Sequence, residues 1–134
     1  MASIKKEIAL RARAEEVWDA LRDVGALHRR LVPGFVTDVQ LEEGARIVTF
    51  GNGMVVRELI VDIDDEARRV VWSAVGTPMT HHNASAQVIA EGDDRCRFVW
   101  IADLLPNEAA PRVAAMIEEG LAAVRRTFER ESPR

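Results

Sequence analysis

Apolar and polar residues along this chain switch period three times, and each switch marks a new element. Ile4, Ile8 and Leu10 alternate with Lys5, Glu7 and Arg11, a period of two spoiled only by Lys6, so the run reads as a first strand. At Ala14 the spacing lengthens: Ala14, Val17, Trp18 and Leu21 recur at helical intervals, with Glu15 and Glu16 in the first turn, where carboxylates complement the helix dipole. Gly25 stops that helix, and a second short helical piece over 26–31 ends at the breaker Val32-Pro33-Gly34.

From 35 to 104 the period returns to two. Segments 35–41, 46–50, 54–63, 70–75, 82–90 and 96–104 each read as a strand, divided by turn signals at Glu43-Gly44, Gly51-Asn52-Gly53, Asp64-Asp65-Glu66-Ala67, 76–79 and Glu91-Gly92-Asp93-Asp94. Gly51-Asn52-Gly53 is the clearest hairpin signal, because Asn and Gly accept the positive backbone angles of tight turns. Connections this short exclude parallel crossovers, so the strands form an antiparallel meander.

The last switch opens the longest element. Over 106–130, Val113, Met116, Ile117, Gly120, Leu121, Val124 and Phe128 share one helical face, while Glu118, Arg125, Arg126 and Glu129 gather on the other. Pro111 falls in the first turn. A helix of roughly twenty residues is about 30 Å long and needs an apolar partner of that length, which the meander supplies by curling its inner face around the stripe. The order β-α-α-β-β-β-β-β-β-α over 1–134 reads as one α+β domain with about seven strands.

Composition narrows the classes of function. The 22 acidic against 18 basic side chains leave a net charge of −4, which gives no pull towards nucleic acid. A lone cysteine, Cys96, forms no internal disulfide and no thiolate metal cluster, as suits a reducing cytoplasm. No run is long and apolar enough for a membrane span, and the first residues lack the apolar core of a signal peptide. A cytoplasmic monomer or homodimer without integral membrane association is expected. Ser73 and Ser85 sit in strands without a glycine-rich elbow, and no phosphate loop or dinucleotide fingerprint occurs, so neither covalent catalysis nor a cofactor is expected.

The opening Ala12-Arg13-Ala14-Glu15-Glu16-Val17-Trp18-Asp19-Ala20-Leu21-Arg22-Asp23, the turn and strand Asp64-Asp65-Glu66-Ala67-Arg68-Arg69-Val70-Val71-Trp72, and Trp100-Ile101-Ala102-Asp103-Leu104-Leu105-Pro106 before the last helix resemble the START-like (SRPBCC) helix-grip superfamily, nearest to small polyketide cyclase/dehydratase-like proteins. The resemblance covers nearly the whole chain through loose, structural motifs, and fold alone does not name an activity. It implies a cavity between sheet and long helix that holds an apolar or amphipathic small molecule. Ala84, Ala86 and Ala90 agree with such space, and equally with close helix–sheet approach.

The polar residues on apolar strands are the candidates for reading a ligand. The resemblance places Glu58 inward, where a carboxylate bonds a ligand through water or works as proton donor or acceptor; the alternative is an outward acid paired with Arg57. Of His81 and His82 only one can face in, and the resemblance selects His82, as a partner for a ligand oxygen or for proton exchange with Glu58, against a rim histidine in water. Asp103 is placed inward by the resemblance and outward by the apolarity of Phe98, Trp100, Ala102 and Leu104 on the other face of its strand. Trp72 reads as cavity wall or core, Met116 and Gly120 line the helix face, and His28-Arg29-Arg30 forms a small basic spot, solvated or near the entrance. One inward histidine and one or two acids give no metal-ligand spacing. Three functions remain open: a carrier or sequestering protein for an apolar ligand, a cyclase- or dehydratase-type enzyme using Glu58, His82 and Asp103 as acid/base groups, and an accessory protein docking a partner. The absence of tyrosine weighs against the enzyme.

Overall fold

Residues 1–129 are described by the computed structural model. Strand β1 (Ala2–Leu10) leads into helix α1 (Ala14–Arg22), a π-helical turn (Leu27–Leu31) follows, and six strands run on as β2 (Val36–Glu42), β3 (Ala45–Phe50), β4 (Val55–Asp64), β5 (Arg69–Val75), β6 (His81–Ala90) and β7 (Cys96–Leu105). They form one seven-stranded sheet in the order β1-β7-β6-β5-β4-β3-β2, with every neighbouring pair antiparallel. Helix α2 (Ala110–Phe128) closes the concave side, completing the helix-grip architecture. The terminal Arg130 of the expected helix lies outside the described residues.

Two details depart from the sequence expectation. The long helix starts four residues late: Pro106 is extended, and Asn107–Ala109 make a single 3₁₀ turn before α2 begins. Pro111 then stands in the first helical turn, where its missing N–H costs nothing. Lys6, the residue that broke the alternation of β1, shares the inward side with Ile4 and Ile8 and reaches across to α2, where its Nζ lies 2.9 Å from Glu118 Oε2. A long basic side chain keeps its charge at the edge while its stem covers apolar surface.

The core joins both helices to the sheet's inner face, with Val17 and Leu21 of α1, Val48, Val70 and Phe98 of the strands, and Ile117, Leu121 and Val124 of α2 all buried. Trp18 belongs to it and also donates from Nε1 to Asp65 Oδ1 at 3.1 Å, tying α1 to the β4–β5 turn. Gly120 permits the close approach of α2 to β7. A Cβ there would stand 2.5 Å from Cζ3 and 2.8 Å from Cη2 of Trp100. Gly120→Ala is therefore expected to lower stability: forcing Trp100 aside costs about 1–3 kcal/mol, against a gain of at most ~1 kcal/mol in helix propensity. Urea denaturation followed by tryptophan fluorescence measures this, and an unchanged or raised midpoint contradicts it.

Candidate functional site

Between the sheet and the N-terminal half of α2 lies a cavity of about 470 Å³, within the range of small-molecule pockets. Its walls are mostly apolar: Val48, Val56, Trp72, Phe98 and Trp100 from the sheet face Val113, Met116 and Ile117 from α2. The rings of Trp72 and Trp100 meet edge to face, with centroids 5.9 Å apart. The lining also takes in Phe50, Met54 and Val55 around the β3–β4 hairpin, residues 76–79 of the β5–β6 loop, and Arg112 of α2. Met54 and Val55 are 41% and 60% exposed, so the hairpin forms an open rim and not a sealed wall.

Glu58 faces inward and is buried, beside Val56 on β4. Its partner is not Arg57, which turns outward to Glu42, but Arg46 of β3, whose Nε donates to Glu58 Oε1 at 2.8 Å. The two side chains are 4% and 9% exposed. Nη1 of Arg46 donates to the carbonyl of Val24 at 3.2 Å, and the guanidinium carbon lies 5.5 Å from the centroid of the Trp72 ring. Hydrogen bonds and a cation–π contact thus replace part of the water that both charges lost. The cavity contains an internally neutralised ion pair, where the sequence suggested a lone carboxylate.

His82 also lines the cavity. Pairing between β5 and β6 runs to Trp72 and Ala84, and beyond it the His82 ring takes over: its Nδ1 accepts from the Ala74 N–H at 2.9 Å. Because Nδ1 accepts, the neutral ring carries its proton on Nε2. Burial, with a smaller push from His81, holds the His82 pKa below its ordinary value. The unfolded chain, titrating near 6.5, therefore takes up a proton before the folded one does. Stability is insensitive to this group above that pH and falls as the pH drops from about 6.5 towards the lower folded value. His82→Gln, which keeps an acceptor without titrating, is expected to flatten that part of the profile. Denaturation curves at intervals from pH 7.5 to 5 test this; parallel profiles for parent and variant refute it.

The other candidates are placed apart from this pair. Asp103 lies on the outer face, in register with Ser3 and Asn83, because Ala102 and Leu104 on either side of it are buried inward and neighbouring strand residues point oppositely. The inward placement implied by the resemblance does not occur. Gly120 shapes the cavity indirectly, by letting Trp100 lie against α2. Arg30 of the basic spot is committed to Asp19 and Asp23 of α1 and its cap. The Cys96 thiol is buried, and burial with nearby Glu91 pushes it up to about 11, so it stays protonated and inert at neutral pH. Ala86 lines the cavity and Ala84 is packed in the core, whereas Ala90 is exposed at the end of β6.

Arg46 is the site residue that the sequence reading passed over, although a signal was present. In a hairpin centred on Asn52, residues equally distant from the turn face each other, and Arg46 and Glu58 both stand six positions from it. Opposite charges at mirrored positions among Val48, Val56 and Ile60 mark a cross-strand pair on the apolar face.

The whole described chain, residues 1–129, matches the family model for polyketide cyclase / dehydrase and lipid transport proteins. Among solved structures, a Thermobifida fusca protein determined by solution NMR is 27% identical, with a TM-score of 0.80 over 97% of this chain and 95% of its own. An uncharacterised Bacillus thuringiensis protein reaches a TM-score of 0.86 at 18% identity, over 96% of this chain and 99% of its own. A START superfamily protein from Mycobacterium smegmatis gives 0.76 at 13% identity, over 97% and 99%. No curated protein matches the chain in sequence. Among the described residues no helix is long and apolar enough to cross a membrane.

Proposed function

The chain belongs to the polyketide cyclase / dehydrase and lipid transport family, and we propose that the cavity gripped by α2 is its site of action, where the protein binds an apolar or amphipathic small molecule as a carrier or sequestering protein. The observation that carries this reading is the cavity itself, apolar on both walls and open at a rim of Met54, Val55 and the 76–79 loop. Binding is favoured over turnover by the state of Glu58. A general base that takes a proton from a ligand ends as a neutral acid, and here that would leave the Arg46 guanidinium, bonded to Glu58 Oε1 at 2.8 Å, buried without its counter-charge. His82 also lines the inner wall, and its Nε2–H is suited to a hydrogen bond with a ligand oxygen.

Native mass spectrometry of freshly purified protein, followed by solvent extraction, tests the proposal. A small molecule released on denaturation is expected, and it should be missing from an Ala86→Phe, Ala102→Phe variant whose added rings occupy the cavity. An empty parent that also fails to take up the neutral dye Nile red overturns the reading.

A further inference from the structure

Arg46 and Glu58 use only part of their hydrogen-bonding capacity on each other and on the backbone. Nε and Nη1 of Arg46 are committed to Glu58 Oε1 and Val24 O. Nη2 of Arg46 and Oε2 of Glu58 have no partner among the described residues. Neither is sealed off, because the one fully enclosed side-chain polar atom without a partner among those residues is His28 Nδ1. With the side chains otherwise buried and both residues lining the cavity, the access left to these two atoms is from the cavity. A guanidinium offers five N–H donors and a carboxylate about four acceptor positions. Two of those donors and one acceptor position are used, so the pair still presents an unpartnered donor nitrogen, Nη2, next to an unpartnered acceptor oxygen, Oε2.

Charge restricts what can meet them. The guanidinium cancels the carboxylate, and His82 is held neutral by burial, so the inner wall has no net charge to offer; the other cation of the lining, Arg112, is exposed at the start of α2. A ligand carboxylate at this depth would shed its hydration and compete with Glu58 for Arg46, which is costly. A plain hydrocarbon end, or a ketone, would leave the buried acceptor of Glu58 without a donor, which also costs binding energy.

We propose that the cavity selects, among apolar molecules, those whose inner end is an uncharged group presenting an acceptor next to a donor, of the carboxamide or lactam kind. The acceptor takes Arg46 Nη2 and the donor gives to Glu58 Oε2. This rests on the cavity-binding reading above and adds the chemistry of the buried end.

The experiment compares three chains of similar length by displacement of Nile red at about pH 8: decanamide, decanoate and methyl nonyl ketone. The parent is expected to bind decanamide about tenfold or more tightly than either of the others, as one extra satisfied buried polar group gives roughly that factor. In an Arg46→Met, Glu58→Leu double variant the preference should vanish, with ketone and amide binding alike. Decanoate or ketone equalling decanamide on the parent overturns the proposal, as does a preference that persists in the double variant. Nile red bound and displaced with no regard to head group sinks this inference alone; failure of Nile red and all three chains to bind sinks the cavity reading with it.

Discussion

Glu58→Leu is expected to unfold at a much lower denaturant concentration than the parent, and Arg46→Met likewise, while the two together restore most of the loss. Each single change leaves one ion buried without its counter-charge, a situation that costs about 3–5 kcal/mol. For Arg46, 4% exposed, what would remain is the Val24 carbonyl and the face of Trp72. For a domain of this size such a loss is roughly 2 M in urea midpoint. The double variant replaces both ions by apolar side chains of similar volume in a wall already made of Val48, Val56 and Trp72, an exchange that is often neutral or stabilising. Urea unfolding of all four proteins forms a double-mutant cycle whose coupling reads the pair directly. Single variants within 1 kcal/mol of the parent, or a double variant as weak as the sum of the singles, would mean that the two charges do not depend on each other.

That outcome also bears on function. A pair conserving its own neutrality in an apolar wall contributes little net stability over a hydrophobic replacement, so its presence is better explained by what it offers to a bound molecule than by what it adds to the fold. The double variant separates the two roles, since it retains the fold and removes the polar feature from the cavity.

How far the sequence carried depends on whether a feature is local. The strands, α1 and the apolar stripe of α2 were legible because each follows from a period within its own segment, and short turns dictated the antiparallel order. The orientation of Asp103 was legible from Phe98, Trp100, Ala102 and Leu104 and was obscured only by the resemblance to a superfamily whose strand registers need not coincide with this chain's. The place of Lys6, and the backbone bond taken by the His82 ring, were opaque for a different reason. Lys6 is explained by Glu118, more than a hundred residues away, and the His82 ring by the place where the β5–β6 ladder ends, which no spacing within β6 reveals. Arg46 stood between the two: its partner was predictable from hairpin symmetry, but its burial depends on Val24 and Trp72.

Ending the chain at Leu105 is expected to abolish folding. Helix α2 supplies Ile117, Leu121, Ala123 and Val124 to the core and lays Gly120 against Trp100. Fully burying each large aliphatic side chain is worth about 1.5–3 kcal/mol, and the helix covers a comparable apolar area on the sheet, so the loss is on the order of 10 kcal/mol, as large as the whole stability of a typical domain. The remaining sheet would expose Trp100, Phe98 and Ala102 along one concave face, a patch that drives association. The fragment should therefore be insoluble or, where soluble, lack cooperative unfolding and bind apolar dyes throughout its length. Adding back a synthetic peptide covering 106–134 should recover ordered near-ultraviolet dichroism if the sheet can still form around its helix. A truncated chain that is monomeric, soluble and unfolds in one sharp transition would show that the sheet is stable without the helix it grips, and the cavity would then have to be assigned to the sheet alone.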